Sequence, residues 1–232
     1  MGFEYLTNVP LAQARKEYLE RLVSGGFGSK TETIPVFESC GRVTAKAVYA
    51  HICAPHYAAS AMDGVAVSAK ETFGATETTP VTLKPDQFLV LDTGDPIPED
   101  KDAVIMVEDI EKNGEGSITI HAAAAPWQHI RQIGEDVCAG EMILPSHMTV
   151  SPAAIGAMIA GGVLEIEVIR KPVVGIIPTG DEIIPPCTDP KPGDILEFNG
   201  SIFSAMVRSW GAEAVVYPIV PDKFDQIKEM VA

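Results

Sequence analysis

The spacing of hydrophobic residues near the start of the chain predicts one amphipathic helix. Apolar side chains recur there at helical spacing after Pro10, namely at Leu11, Ala14, Tyr18, Leu19 and Leu22. Three glycines, Gly25, Gly26 and Gly28, then supply a stop signal. We therefore expect a single helix between residues 10 and 25.

From Thr31 to about Leu144 the pattern changes to short β-rich runs separated by Pro, Gly and Asp clusters. The runs are Glu32 to Phe37, Val81 to Leu83, Gln87 to Leu91, Ala103 to Val107 and Gly116 to His121. This pattern predicts a compact β-rich domain with functional loops.

A second helix is predicted after Ser151, which caps an Ala-rich segment that has Pro152 in its first turn. Gly161 and Gly162 end that helix. Apolar and acidic residues then alternate from Leu164 to Val168, as in a half-exposed strand.

The last sixty residues have the pattern of a βαβ unit. Pro172 to Ile177 and Ala214 to Val220 are apolar strands, Ser201 to Trp210 is a helix, and Lys223 begins another helix. Two parallel strands make too small a sheet to be stable alone. We therefore expect an incomplete α/β domain, from a longer natural protein or one completed by strands from elsewhere.

The composition is that of a soluble globular protein. Of 232 residues, 46% are hydrophobic and 21% charged, and no apolar stretch reaches membrane-span length. The formal net charge of −15 argues against nucleic acid or an anionic membrane as the main partner. Without a signal-peptide pattern at the start, we expect a cytoplasmic protein. The four cysteines show no paired spacing, and we interpret them as reduced thiols.

Acidic residues follow both strands of the βαβ unit. Thr179, Asp181 and Glu182 come after the first strand, and Asp222 comes after the second. Ligands of open α/β sheets bind beyond the carboxyl ends of the strands, and clustered carboxylates suit Mg²⁺. The alternative is that Asp181 and Asp222 only cap the following helix or turn.

Three polar loops interrupt the β-rich region. In the first, Asp63 with Gly64 has the pattern of a simple turn, which is the favoured interpretation for the pair alone. In the second, Thr93 lies at a strand exit within an acidic run that is typical of a solvated face. In the third, Arg131 offers a forked anion donor and Asp136 a carboxylate, although the two could simply form a surface pair.

Five ordered segments together resemble the MoeA and gephyrin E-domain family of molybdotransferases. They are "SAMDGVAV", "TGDPIPEDKDAVIMVED", "IRQIGEDVCAGEMILPSHMTVSPAAIGAMIAGG", "RKPVVGIIPTGDEI" and "GDILEFNGSIFSAMVRSWGAE". They cover almost the whole chain in the family's order. The chain departs from the family pattern at Ala58, Ala59, Val65 and Asp95.

The resemblance implies an enzyme that hydrolyses adenylylated molybdopterin with Mg²⁺ and inserts molybdate into the dithiolene. By motif position, it implies catalytic roles for Asp63, Thr93, Asp136 and Glu182. Substrate or anion binding is implied for Ser60, Arg131, Thr179 and Asn199, and metal binding for Asp181 and Asp222. It also implies a homodimer, with a molybdopterin adenylyltransferase as the upstream partner.

The fold that the resemblance implies is a multidomain α+β chain. A β-rich domain, residues 51–139, would be inserted in an elongated linker domain, residues 27–50 and 140–170. The N-terminal helix, residues 1–26, would join an incomplete α/β domain, residues 171–232. Because the family's glycine-rich GGVSVG loop would follow Ala232, we expect this chain alone to be inactive.

Two alternatives remain open at this point. The chain could be a non-catalytic pterin-binding or scaffold module, as gephyrin-like proteins are when they anchor partners. The segment "FLVLDTGD" also resembles the way in which aspartic proteases present a catalytic carboxylate. That second interpretation leaves the other motifs unexplained.

Overall fold

The computed structural model describes residues 8–28 and 30–231. Within these ranges the chain forms the α-helices α1 (Leu11–Ser24), α2 (Ala69–Thr72), α3 (Pro152–Ala160), α4 (Asn199–Ser209) and α5 (Phe224–Val231). The predicted helices correspond to α1, α3, α4 and α5. Nowhere in the described ranges is there a helix long and apolar enough to cross a bilayer.

The strands are short, as the frequent Pro and Gly residues predict. In chain order they are β1 (Thr31–Pro35), β2 (Val48–Tyr49), β3 (Ala59–Ser60), β4 (Gly64–Val67), β5 (Val81–Leu83), β6 (Phe88–Leu91), β7 (Ala103–Met106), β8 (Ile110–Lys112), β9 (Ile118–Ile120), β10 (Ile130–Arg131), β11 (Met142–Leu144), β12 (Glu165–Ile169), β13 (Val173–Ile176), β14 (Ile183–Ile184), β15 (Ile195–Leu196) and β16 (Glu213–Val216).

Chain contacts divide the molecule into two compact units. Unit 1 comprises Met1–Ile34, Gly41–Lys46 and Glu167–Ala232, and unit 2 comprises Pro35–Cys40 and Ala47–Ile166. The mixture of helix and sheet agrees with the α+β class expected from the sequence. The three-part domain boundaries given above stay a prediction.

Unit 2 is built around β4, the middle strand of the antiparallel sheet β6-β4-β7. Val65 and Val67 pack into one apolar cluster with Leu83, Ile105 and Ile120. Ala66 faces the other way and packs with Leu91, Val104 and Ile130. Because β4 is buried on both faces, it anchors the loops at its ends.

The structure corrects the sequence interpretation of "SAMDGVAV" as a polar loop. Its second half, Gly64–Val67, is a fully buried strand. A strand that is buried on both faces lacks the polar and apolar alternation by which half-exposed strands are detected, and a run of four small residues is too short to stand out.

Unit 1 contains the predicted parallel pairing. Strands β13 and β16 pair from Val173↔Glu213 to Ile176↔Val216, with α4 as the crossover between them. The second strand ends at Val216 rather than Val220, because Pro218 cannot donate a ladder hydrogen bond. A single parallel bridge, Thr179↔Val220, then brings the two following loops together.

Candidate active site

The carboxylate of Asp63 connects two of the predicted motifs. Its Oδ1 atom accepts hydrogen bonds from the backbone N–H and from the hydroxyl of Thr93, both at 2.7 Å. The hydroxyl bond, followed by the amide bond, lowers the pKa of Asp63 from its ordinary value of 3.8, against an opposing effect of desolvation. Asp63 is therefore ionised at neutral pH and held in a fixed position at an exposed surface.

Strand pairing explains why these distant residues meet. Gly64 begins β4 and pairs with Leu91, the last residue of β6. Since the strands are antiparallel, Asp63 and Thr93 lie at the same edge of the sheet. The Asp63 carbonyl also accepts a 3.0 Å hydrogen bond from the Val107 amide, next to β7. The turn interpretation of Asp63 with Gly64 was wrong, since Gly64 is a strand residue.

Gly64 is required by close packing of the backbone. A Cβ atom at this position would lie 2.0 Å from the carbonyl oxygen of Ile105 on β7. Any other residue would push β7 away from β4. The glycine therefore allows the sheet to close directly beside Asp63.

Ser60 holds the second and third motifs against the first. Its backbone N–H donates to the Asp95 carbonyl, and its carbonyl accepts from the Gly94 amide, both at 2.9 Å. On β3, Ser60 also pairs with Ile130 of β10. Its buried hydroxyl donates to the Met62 carbonyl at 2.6 Å. The observed contacts position the loop, and binding of substrate by Ser60 stays a prediction.

Arg131 and Asp136 form the surface ion pair that their spacing in the sequence permits. The Nη2 atom of Arg131 lies 2.8 and 2.7 Å from the two carboxylate oxygens of Asp136, and its Nε atom lies 3.5 Å from Glu135. The hydrogen bond and charge of Asp136, and then the charge of Glu135, raise the pKa of Arg131. Binding of an external anion by Arg131 stays a prediction.

In unit 1, the loops that carry Asp181 and Asp222 meet, and the contact between the two residues is of the turn-capping kind that the sequence left open as the alternative. The backbone N–H of Asp222 donates to Oδ1 of Asp181 at 3.3 Å, and Gly180 N–H donates to the Val220 carbonyl at 3.1 Å. Asp181 lines a groove of about 600 Å³ together with Gly180, Glu197, Tyr217 and several prolines. Both carboxylates are on exposed residues, so they are accessible to a ligand.

The remaining predicted residues of unit 1 lie around the same loops. Thr179 and Glu182 are exposed on either side of Gly180 and Asp181. The Glu182 carbonyl accepts a 2.9 Å hydrogen bond from the Ile195 amide. Asn199 is the exposed first residue of α4.

Glu197, which lines the Asp181 groove, was not predicted from the sequence. Its Oε1 atom accepts a 2.6 Å hydrogen bond from the Gly200 amide in the first turn of α4. Glu197 precedes the N-cap residue Phe198, so it does not match the usual N-cap pattern of Ser, Thr, Asp or Asn. Tyr57 was not predicted either, and its hydroxyl donates to the Gly94 carbonyl at 3.0 Å. No local pattern links Tyr57 to Gly94.

A cleft of about 340 Å³ next to Asp63 was likewise not predicted. Its walls are largely apolar, with Val65, Phe88, Val90, Val107 and Ile110 among the lining residues. Asp63, Asp92 and Lys112 add polar groups to the lining. An apolar cleft with a few polar groups is typical of small-molecule binding sites.

Binding of a magnesium ion by Asp181 and Asp222 stays a prediction, since the contact between the two residues runs from the backbone N–H of Asp222 to the carboxylate of Asp181. Mg²⁺ commonly takes one or two carboxylates and completes its shell with water and substrate phosphate. No group of three or more His, Cys, Asp or Glu side chains arranged to hold a metal occurs within residues 8–28 and 30–231. A magnesium ion at this position would therefore need water and substrate oxygens for most of its ligands.

Comparison with known proteins agrees with the motifs. The chain is 35% identical over 210 residues to molybdopterin molybdenumtransferase 2 of Mycobacterium tuberculosis, which covers 84% of this chain and 52% of that protein. It is 31% identical over 224 residues to the molybdopterin molybdenumtransferase of Haemophilus influenzae, covering 91% of this chain and 54% of that protein. The chain thus spans about half the length of these relatives.

Solved structures give the same result. A crystal structure of the molybdopterin biosynthesis MoeA protein of Pyrococcus horikoshii matches with a TM-score of 0.80 and 29% identity, covering 97% of this chain and 60% of that one. The family description "MoeA N-terminal region (domain I and II)" matches residues 9–162. The chain belongs to the MoeA family and carries its N-terminal region.

Proposed function

We propose that the chain is the N-terminal part of a molybdenum-inserting transferase that acts in molybdenum cofactor biosynthesis. The proposed reaction is the hydrolysis of adenylylated molybdopterin with Mg²⁺, coupled to insertion of molybdate into the dithiolene. Relatives named molybdopterin molybdenumtransferase support this assignment. Because the chain spans about half of those relatives, we assign the complete reaction to a protein that also contains the remaining part.

The observation that carries the proposal is the hydrogen-bonded pair of Asp63 and Thr93. The two residues come from separate motifs, and both hydrogen bonds from Thr93 end on one carboxylate oxygen of Asp63. In this proposal the other oxygen contacts the substrate or a water molecule. A pre-positioned carboxylate of this kind orients a reacting group without further reorganisation.

In this proposal Asp181 and Asp222 hold Mg²⁺. When bound, the ion neutralises negative charge on the phosphates of the adenylylated substrate. Such help is needed because the chain has a net charge of −15 and its substrates are anions. Glu182 follows Asp181 in the same loop and adds another carboxylate there.

Donor groups of the chain bind the substrate's anionic parts. Arg131 is held by Asp136 and Glu135, so its guanidinium has a fixed direction. Thr179 and Asn199 offer exposed hydroxyl and amide donors in unit 1. We further propose a homodimer as the working unit and a molybdopterin adenylyltransferase as the supplier of the substrate, both on the basis of the family resemblance.

The test is single-turnover AMP release in the longest natural form of the protein, with Asp63→Asn and Asp136→Asn. A residue that handles a proton or orients the reacting group contributes roughly 10²-fold or more to the rate, and we expect losses of that size. Asp86→Asn is the matched control, since Asp86 is an exposed acid of the same unit. Wild-type rates in both site variants would refute the proposed site.

A further inference from the structure

Two cysteines that are distant in sequence face each other across a backbone pairing in unit 2. Ala54 and Val137 form an antiparallel bridge and exchange both backbone hydrogen bonds, at 2.8 and 3.2 Å. In an antiparallel pairing the residue before one partner lies opposite the residue after the other. The bridge is isolated, and Cys53 and Cys138 flank it on its two chain segments.

This position is suited to a disulfide. Disulfides span Cα separations of roughly 4.4–6.8 Å. The bridge between Ala54 and Val137 holds the two backbone segments together directly beside the cysteines, as a disulfide requires.

The sulfur atoms point to the same small region. A Cβ atom on Gly134 would lie 2.8 Å from Sγ of Cys138 and 3.6 Å from Sγ of Cys53. The thiol of Cys138 donates to the Gly134 carbonyl at 3.4 Å, and Sγ of Cys53 accepts from the Ala139 amide at 3.3 Å. Gly134 has a φ of 75° and no side chain, so it leaves room for both sulfurs.

We propose that Cys53 and Cys138 are a redox modification site that forms a reversible disulfide with a small-molecule disulfide as the oxidant. The thiolate of one cysteine attacks the small disulfide, forms a mixed disulfide and releases one small thiol. The second cysteine then attacks the protein sulfur of the mixed disulfide and releases the other small thiol. The two cysteines lose two electrons and two protons, and the small disulfide is reduced to two thiols.

The bridge would act on the backbone that carries Asp136. The amide of Asp136 donates to the Ala54 carbonyl at 2.9 Å, the same oxygen that accepts from Val137. A bond between Cys53 and Cys138 would flank this contact on both chain segments. Oxidation is therefore expected to restrict local opening around Asp136, and reduction to restore it.

The test uses the Cys40→Ser/Cys187→Ser double variant of the full chain, in which only Cys53 and Cys138 remain. Cys40 and Cys187 are exposed thiols that serve as the alternative targets. After treatment with excess oxidised glutathione, we expect both remaining thiols to disappear and no glutathione to stay bound. Proteolysis and mass spectrometry should yield one cross-linked peptide pair that dithiothreitol separates.

A single Cys53→Ser substitution in the double variant should instead leave one stable glutathione adduct, on Cys138. Hydrogen exchange provides the second readout, with the amides of Asp136 and Val137 exchanging several-fold more slowly in the oxidised protein. Stable glutathione adducts on both cysteines of the double variant, or a cross-link in wild-type protein that involves Cys40 or Cys187, would overturn the proposal. The wild-type peptide map decides the question if a variant fails to fold.

Discussion

The hydroxyl of Thr93 is the group that most directly controls the charge of Asp63. Its hydrogen bond is the largest influence that lowers the pKa of Asp63, ahead of the bond from the Thr93 amide. We predict that Thr93→Val raises the pKa of Asp63 towards the ordinary value of 3.8, because valine keeps the amide donor and removes the hydroxyl. The carboxyl shift of Asp63, followed by NMR during an acid titration, measures the change.

Thr93→Ser is the matched control, since serine retains the hydroxyl and should titrate as the wild type does. The direction of the pKa shift also fixes a pH dependence. The folded-state pKa is lowered, so the stabilisation is present above the unfolded pKa and is lost as the pH falls through the folded value. If Asp63 titrates identically in the valine variant and the wild type, the hydroxyl bond does not hold the carboxylate.

Replacement of Gly64 by alanine is expected to destabilise the protein. In Gly64→Ala the added Cβ would lie 2.0 Å from the Ile105 carbonyl, a backbone atom that cannot rotate away. We expect a loss in the free energy of unfolding of about 2 kcal/mol or more, the cost typical of overpacking. Urea unfolding measures it. Gly114→Ala, which adds a Cβ with nothing within 4 Å, is the control and should change the midpoint much less.

Helix α3 begins with the N-cap residue that the sequence predicted, Ser151. The Ser151 side chain accepts a 3.2 Å hydrogen bond from the Ala154 amide. We predict that Ser151→Ala lowers the free energy of unfolding by about 1 kcal/mol, because the amide loses its partner. The control is Ser68→Ala, since Ser68 is the N-cap of α2 and its side chain makes no capping hydrogen bond in the described structure. Equal losses in the two variants would mean that the α3 cap contributes nothing specific.

The elements that the sequence predicted are those with a local signature. Helix α3 has a capping serine, a proline and two terminating glycines, and β5 was predicted with its observed bounds, Val81–Leu83. Strands such as β3 and β10 have two residues each and exist only because Ser60 meets Ile130 from far along the chain. No window of neighbouring residues contains that information.

In the candidate site, contacts that follow from strand topology were predictable, and contacts that depend on strand register were not. The meeting of Asp181 and Asp222 followed from parallel strands, whose carboxyl ends share one edge of a sheet. The bond between Asp63 and Thr93 depends on the register of β4 against β6, and β4 itself was not recognised. The roles of these residues stay predictions.

The net charge of −15 of the whole chain complicates any test of magnesium binding. A divalent cation relieves repulsion throughout so acidic a chain, so general stabilisation by Mg²⁺ is expected even without a site. A specific site adds stabilisation that saturates, reaching about 2.7 kcal/mol when the ligand is at one hundred times its Kd. General stabilisation depends on the total charge of the chain, whereas stabilisation by a specific site depends on the carboxylates of that site.

We therefore predict that Mg²⁺, titrated at constant ionic strength, raises the Tm of the wild-type chain along a saturating curve, and that Asp181→Asn removes the saturating part. Asp189→Asn is the control because it removes the same charge from an exposed position of the same unit. It should keep the saturating part of the curve. Differential scanning calorimetry measures all three proteins. If both variants lose the same amount of stabilisation, magnesium acts on the total charge of the chain and Asp181 does not hold it.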